Sequence, residues 1–314
     1  MRFLNRKTNI DFIGKRKVAF AVSAILIVLS ITSLITLKLN FGLDFTGGML
    51  IEVAYSTAPD TEEVRDQLRD AGLDDAMVNT FGLDTELVVR IPPRDEEESS
   101  ADVSTVVLQA LQAGYDGEIE MRRVEFVGPQ VGEELTEQGI LAVVYALIGI
   151  FLYVMMRFQW RFSVGAVTAL VHDVIITMGI ISALRVEFDL TVVAALLAVI
   201  GYSLNDTIVL FDRIRENVPK RRNHAPIDGV TTSVHETLAR TVMTSLTTLL
   251  VLSALFVFGG EIIHAFAFTL IVGVLVGTYS SIYVASTTLL ELGVSKFDLL
   301  QIEKEGASAP DSMP

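Results

Sequence analysis

The chain of 314 residues lacks the elements of most enzymatic and metal sites. It contains no cysteine, so neither a disulfide nor a thiolate metal ligand can form. It has no His-Glu-x-x-His, Gly-x-Ser-x-Gly or Walker motif, which argues against a zinc protease, an α/β-hydrolase and an ATPase. We therefore expect no catalytic residue, no metal site and no nucleic-acid partner. The four histidines lie at scattered positions without the spacing of zinc ligands: His172, His224, His235 and His264.

Long apolar runs dominate what is present. Hydrophobic residues make up 51% of the chain and the mean hydropathy is +0.51, which is too apolar for an ordinary soluble domain. A transmembrane helix needs about 20 mostly apolar residues. The first run exceeds a signal-peptide core and lacks a small-residue cleavage site, so we expect an uncleaved anchor. An all-α bundle of six transmembrane helices is predicted from the runs 18–37, 139–156, 163–184, 190–211, 241–258 and 262–290.

The negative charge of the chain is concentrated in one segment. Residues 38–137 contain 7 Lys and Arg against 23 Asp and Glu, whereas the remainder contains 17 against 15. Basic residues precede the first span and occupy alternate loops, so the positive-inside rule places both termini in the cytoplasm and the acidic segment outside. The predicted organisation is a basic cytoplasmic N-terminus at 1–17, a first span at 18–37, an extracytoplasmic domain with linkers at 38–138, five spans within 139–290 with a cytoplasmic loop at 212–240, and a cytoplasmic tail at 291–314.

The acidic segment carries the only sizeable predicted domain outside the lipid. Residues 50–56 alternate like a strand, and Asp60 can cap the amphipathic run 62–71. Two short strands, a helix and a last strand at 118–126 follow. The order β-α-β-β-α-β predicts a small α+β ferredoxin-like domain. Beyond the basic loop, the spacing of apolar residues at 230–238 predicts a short amphipathic helix at the membrane interface.

Small residues recur at intervals of four in the last span. Such residues line one helix face and allow a neighbouring backbone to approach closely. Tight packing is the plainer explanation of this pattern, and a moving helix interface is compatible with it. We assign helix packing to Gly201, Gly273, Gly277, Ser281 and Ala285, with a weaker pattern at Ala194 and Ala198.

Polar and ionisable residues inside the spans are costly and need a reason. Asn205, Asp206 and Thr207 are consecutive in the fourth span, and Asp206 lies about 9 Å inside the end marked by Asp212. Arg240 opens the fifth span at a similar depth, with Thr244 one turn further on. This Asp and Arg either form a static salt bridge or belong to a proton relay, in which protonation of the Asp releases the Arg.

The third span adds His172 and Asp173 near the middle of the bilayer. Asp173 has no obvious partner in the sequence unless Arg240 or a second subunit reaches it, and we give it a lesser relay role than Asp206. His172 points about 100° away from Asp173 on a helix, which favours a packing role. Paired aspartates also occur in intramembrane aspartyl proteases, but the Gly-x-Gly-Asp setting of those enzymes is absent around Asp206.

Four motifs resemble those of the SecD/SecF family of protein-export membrane proteins, and most closely the branch with the smaller outer domain. They are Phe-Gly-Leu-Asp-Phe-Thr-Gly-Gly at 41–48, Val-Gly-Pro-Gln-Val-Gly-Glu-Glu-Leu at 127–135, Gly-Tyr-Ser-Leu-Asn-Asp-Thr-Ile-Val-Leu-Phe-Asp-Arg-Ile-Arg-Glu-Asn at 201–217, and Gly-Thr-Tyr-Ser-Ser-Ile-Tyr-Val-Ala at 277–285. The family positions singled out are Asp44, Gly47, Gly48, Gly128, Pro129 and Gly132.

The resemblance implies a member of the RND superfamily in a prokaryotic inner membrane. Such a protein works beside SecD and the SecYEG channel and uses the proton gradient to help preproteins move and be released outside. Carried over by motif, the family's fourth-span Asp corresponds to Asp206 and its fifth-span Arg to Arg240. No cofactor is then expected, protons serve as the coupling ion, and membrane lipid and the preprotein are further partners. The alternatives are a scaffold for SecD without proton coupling, or half of a small-molecule or lipid exporter.

Overall fold

The structure is a computed structural model that describes residues 12–93, 100–220 and 225–294. The predictions for residues 1–11, for part of the charged linker at 92–100, for His224 and for most of the cytoplasmic tail lie outside the described residues. Within them, six helices are long and apolar enough to cross a membrane, which confirms the predicted bundle.

The spans begin and end close to the apolar runs, with extensions at several ends. The third and fourth spans are the most buried, whereas the first, second and fifth expose much of their surface. The third and fourth spans therefore form the centre of the bundle. The helices are α1 (Arg16–Thr36), α5 (Pro129–Arg157), α6 (Trp160–Ala183), α7 (Leu190–Lys220), α8 (Pro226–Phe258), and a sixth span made of α9 (Glu261–Ser280), a π-helical segment (Ser281–Ala285) and α10 (Ser286–Glu291).

The prediction of a separate interfacial helix at residues 230–238 is wrong. The structure has one continuous helix from Pro226 to Phe258, and residues 230–238 are part of it. Pro226 occupies the first turn, where a missing N–H costs nothing, and no Gly or Pro follows between Val230 and Arg240 to break the backbone. The amphipathic pattern therefore marks the part of α8 that packs on α7, where Val230 and Val234 are buried.

The small domain between the first and second spans has the predicted order of strands and helices. Its antiparallel sheet has the strand order β3-β4-β2-β5, so each β-α-β unit leaves room for one strand between its own two, as in a ferredoxin-like sandwich. Its elements are β2 (Gly48–Tyr55), α3 (Thr61–Asp70), β3 (Met77–Phe81), β4 (Leu83–Ile91), α4 (Ser100–Ala113) and β5 (Ile119–Val127).

One face of this sheet packs on the two helices. Ile51 and Val53 of β2 alternate with more exposed residues and are fully buried, since successive side chains of a strand point to opposite faces. Leu68 of α3 and Leu111 of α4 are fully buried and complete the core on the helix side. Asp60 caps α3 through the N–H of Glu62 at 2.8 Å. The domain therefore has an apolar core of its own, separate from the bundle.

Tyr55, at the end of β2, is the unusual titratable group of this domain. Its hydroxyl is buried without a hydrogen-bond partner among the described residues, and its ring meets the Tyr115 ring edge-on at 5.0 Å. Burial, with a smaller contribution from Tyr115, raises the pKa of Tyr55 to about 12. The pKa of Tyr115 is instead lowered, chiefly by the hydrogen bond of its hydroxyl with Thr57.

We expect the domain to lose stability as the pH rises from about 10 to 12, because the unfolded phenol ionises near 10 while folded Tyr55 keeps its proton. Phenolate absorbance of the full chain should show a late-titrating tyrosine that Tyr55→Phe removes. Tyr115→Phe is the control and should remove an early-titrating group instead. Identical titration curves for the two variants would contradict the assignment.

Candidate functional site

The segment after the first span joins the small domain to the start of α7. Two short parallel strands pair there, β1 (Asn40–Phe41) with β6 (Glu187–Phe188), and the N–H of Gly42 donates to the carbonyl of Phe188 at 2.8 Å. In the one-turn helix α2 (Leu43–Thr46), Asp44 accepts the N–H of Leu190, the first residue of α7, at 2.9 Å. The motif at 41–48 therefore attaches the domain directly to the fourth span.

Further contacts strengthen this attachment. Asp189 caps α7 by accepting the N–H of Val192 at 2.8 Å, so two carboxylates face the positive end of that helix. Arg90 of the sheet forms an ion pair with Glu187. Because these bonds converge on a few residues before Leu190, a displacement of α7 along its axis would be transmitted to the domain.

The family glycines permit close backbone paths at the same place. Gly47 and Gly48 have φ of +69° and +108°, a region that favours glycine, and a Cβ at Gly48 would lie 2.3 Å from the carbonyl oxygen of Ile91. A Cβ at Gly132 would lie 3.0 Å from the carbonyl oxygen of Phe45. Pro129 occupies the first turn of α5, and Gly128 precedes it with open space around it.

A buried carboxylate lies at the centre of the bundle. Asp173 of α6 is 1% exposed, and its Oδ2 accepts hydrogen bonds from the hydroxyls of Ser203 on α7 at 2.6 Å and Ser280 on α9 at 2.8 Å. The sequence offered no partner for Asp173 beyond Arg240 or a second subunit. The structure corrects this, because the partners are two serines and a histidine of the same chain.

His172 is the third partner: it is buried and its ring stacks on Tyr279, as a packing role requires, but the expectation that it points away from Asp173 is wrong. Its Nδ1 lies 2.9 Å from Asp173 Oδ1, and its Nε2 lies 3.2 Å from the hydroxyl of Ser23 on α1. Ser23 bonds in turn with the hydroxyl of Tyr279, which donates to the carbonyl of Ala19 at 2.7 Å. A side chain can bend towards its sequence neighbour although their Cβ directions differ, so the helical angle alone misassigned His172.

These bonds connect four spans through one chain of polar groups. We call Asp173, His172, Ser23, Ser203, Ser280 and Tyr279 the carboxylate cluster. Four of its members were not singled out in the sequence, since single serines and tyrosines are common in apolar helices. Two signals were available: the family motifs at 201–217 and 277–285 contain Ser203, Tyr279 and Ser280, and Ser203 precedes Asp206 and Thr207 by three and four residues and so lies on the same face of α7.

Asp206 is buried close to this cluster but is not bonded to it. It is 4% exposed, and its Oδ2 has no hydrogen-bond partner in the part of the chain that the structure describes. The hydroxyl of Thr207 is likewise buried and unpartnered among those residues, as is that of Thr177 on α6. A buried carboxylate oxygen without a hydrogen-bond donor is poorly stabilised, so the charged form of Asp206 is costly in this position.

Arg240 is close enough for its positive charge to act on Asp206, but within the described residues the two side chains form no ion pair. Arg240 and Asn205 are exposed in the isolated chain. Thr244 uses its hydroxyl inside α8, donating to the carbonyls of Arg240 at 3.1 Å and Thr241 at 2.9 Å. The structure therefore places Arg240 within electrostatic range of Asp206 without an ion pair between the two described side chains.

Small residues of the last span allow α9 to approach α7 and α6. A Cβ at Gly273 would lie 2.1 Å from Val199, and one at Gly277 would lie 3.0 Å from Ser203 and 3.5 Å from Asp173 Oδ2. Ser281 and Ala285 are buried in the π-helical segment. Gly201 differs, because no atom of a neighbouring element in the described residues lies within 4 Å of a Cβ there, so these residues do not provide the packing predicted for it.

No group of His, Asp and Glu suited to a metal ion occurs among the described residues. The fold and the cluster together define a multi-pass membrane protein of six spans, with ionisable groups inside the bundle and a ferredoxin-like domain attached to the fourth span.

Comparison with known proteins identifies the family of membrane proteins to which the chain is similar. Residues 107–295 match the family "Protein export membrane protein SecD/SecF, C-terminal", and residues 32–59 match the "SecD/SecF GG Motif". The chain is 52% identical to the protein translocase subunit SecF of Vibrio alginolyticus, over 100% of this chain and 99% of that one. It is 50% identical to the protein of the same name from Pseudomonas aeruginosa, over 93% and 94%.

A solved structure agrees with these relatives. The crystal structure of SecDF, a translocon-associated membrane protein from Thermus thermophilus, superposes with a TM-score of 0.82 at 36% identity, covering 93% of this chain and 39% of that one. The chain belongs to the SecD/SecF family and, within it, to the SecF proteins.

Proposed function

We propose that the chain is a subunit of a protein translocase that works with SecD and uses the proton gradient to promote preprotein translocation and release on the outer side of the membrane. The single observation that carries the proton coupling is Asp206, a carboxyl buried in a membrane span with an oxygen that lacks a partner among the described residues. Its protonation removes a costly charge, and its ionisation attracts Arg240, so the two states favour different helix arrangements.

Asp173 gives the relay a second carboxyl. The hydroxyl of Ser203 donates to Asp173, and Asp206 and Thr207 follow it by one helical turn. A proton that moves between Asp173 on α6 and Asp206 on α7 would pass along the face of α7 that carries Ser203. We assign Asn205, Thr207 and Thr244 to the lining of this route.

SecD supplies the surface that covers the exposed side of α7. Ala194, Ala198, Gly201 and Asn205 form a continuous exposed stripe of small residues on that helix, and Arg240 is exposed beside it on α8. Small residues on an uncovered helix face allow a second bundle to approach closely. The match to only 39% of the Thermus SecDF chain agrees with a partner that provides the rest of the assembly.

The acidic small domain lies on the outer side in this proposal, with both termini in the cytoplasm of a prokaryotic cell and the SecYEG channel as a further partner. The attachment of the domain to α7 through Asp44, and through the ion pair of Arg90 with Glu187, gives the proton step a mechanical output. A shift of α7 would move the domain against an emerging preprotein.

The proposal is tested in inverted membrane vesicles that contain this chain, SecD and SecYEG. Completion of preprotein translocation should be stimulated by the chain when a proton gradient is present, and an uncoupler should remove the stimulation. The control omits this chain while SecD and SecYEG are kept. Stimulation of equal size with and without the gradient would leave a scaffold for SecD and exclude proton coupling, and failure of SecD to co-purify would exclude the partnership.

A further inference from the structure

A cavity of about 980 Å³ opens between the first, third and sixth spans, on the far side of His172 from Asp173. Its walls come from α1, α6 and the end of the sixth span, and most of their exposed area is apolar, although Ser23, His172 and Tyr283 also line it. Phe20, Ala24, Ile27, Val171 and Ile175 are typical wall residues. The proposed proton route and the SecD-facing stripe make no use of this space.

The mouth of the cavity is basic. Arg16 and Lys17, the first two residues of α1, lie at its rim, and neither side chain forms a hydrogen bond or ion pair in the part of the chain that the structure describes. Arg16 is only partly exposed. Glu291, the last residue of α10, lies on the opposite rim, so two cations face one anion.

The depth of the cavity corresponds to one leaflet. Ile27 follows Arg16 by eleven residues, which is about 16 Å along α1, and half of the hydrocarbon core is about 15 Å. The cavity therefore runs from the headgroup level to the middle of the bilayer. An acyl chain has this length and chemistry, whereas a water-filled path would need polar walls.

One wall also carries an unsatisfied hydroxyl near the headgroup level. Thr287 is 9% exposed, lines the cavity and has no partner for its Oγ1 within the described residues. It lies one turn inside Glu291, at the depth of the ester groups of a phospholipid. A buried hydroxyl without a partner is costly, and an ester oxygen would satisfy it.

We propose that this cavity binds one anionic phospholipid of the leaflet opposite the small domain. Its phosphate lies between Arg16 and Lys17, an ester oxygen lies at Thr287, and an acyl chain fills the space along α1 and α6. Basic pockets between membrane helices are suited to anionic headgroups, and each cation near the surface contributes about 1 kcal/mol. The bound lipid would hold α1 against α6 beside His172.

The test uses the purified full-length chain and native mass spectrometry, with phosphatidylglycerol and phosphatidylcholine of identical acyl chains. We expect one phosphatidylglycerol to bind at least about ten-fold more tightly than phosphatidylcholine. The double variant Arg16→Gln/Lys17→Gln should weaken phosphatidylglycerol binding by about 30-fold and abolish the preference. Ala24→Trp, which fills the cavity, should weaken both lipids.

The matched control is Arg215→Gln/Lys220→Gln, which removes the same charge at the end of α7 on the same side of the bundle and should leave binding unchanged. Equal affinity of the wild-type chain for the two lipids would mean ordinary surrounding lipid and would overturn the proposal. So would unaltered binding in Ala24→Trp, or equal losses in the two double variants.

Discussion

Asp206→Asn is expected to abolish gradient-dependent translocation while the protein still inserts and assembles with SecD. The amide keeps the size of the carboxyl but cannot bind and release a proton. Moving one charge through a membrane potential is worth about 2.3 kcal/mol per 100 mV, so the loss of this charge removes up to about a 50-fold stimulation. Translocation by inverted vesicles, compared with and without an uncoupler, measures the effect.

Asp212→Asn is the matched control for this variant. Asp212 lies on the same helix but is partly exposed, and it is within 3.4 Å of Arg157. Its neutralisation should leave the stimulation intact. The double variant Asp206→Asn/Arg240→Gln further separates a proton relay from a scaffold. It removes both charges, so neither is left without its partner. A scaffold would keep full activity in the double variant, and such a result would contradict the relay.

Asp173 should respond differently to two substitutions. Asp173→Leu leaves the hydroxyl of Ser203 and the Nδ1 of His172 without their acceptor inside the bundle, while the hydroxyl of Ser280 keeps only the carbonyl of Gly277. Each buried polar group that loses its partner costs about 1–3 kcal/mol, so we expect a loss of several kcal/mol and a strongly lowered yield of folded protein. Thermal unfolding in detergent measures this effect.

Asp173→Asn keeps an acceptor oxygen and the shape of the side chain, and it should fold with nearly normal stability. If Asp173 exchanges protons, this variant should lose about ten-fold or more of the gradient-dependent stimulation. Ser280→Ala, which removes one donor and leaves the carboxyl, is the control and should keep most of it. Normal stimulation in Asp173→Asn would restrict the residue to a structural role and leave Asp206 as the single relay carboxyl.

Both predictions depend on the same property of α7. The helix carries Asp206 in its middle, contacts the carboxylate cluster through Ser203, and begins at the N–H groups held by Asp44 and Asp189. A change in the charge of a carboxyl would therefore act on a helix that is already attached to the small domain. This connection explains why a short motif after the first span and a motif in the fourth span occur in the same protein.

Local sequence patterns are enough to predict the parts of this protein that depend on each segment alone. Apolar runs of sufficient length predicted six spans, because a backbone in lipid must satisfy its own hydrogen bonds. Alternating and amphipathic patterns predicted the β-α-β-β-α-β domain. The cost of a charge in lipid singled out Asp206, Asp173 and Arg240 before any contact was known.

Which of these residues contact one another depends on how the helices pack in three dimensions. The two serine partners of Asp173 are 30 and 107 residues away in the chain, and Ser23 is 149 residues from His172. Hydropathy describes how a helix interacts with lipid, whereas a hydrogen bond between helices depends on which faces turn towards each other. That rotation is set by packing at positions such as Gly273 and Gly277, where the absence of a side chain lets one backbone approach another.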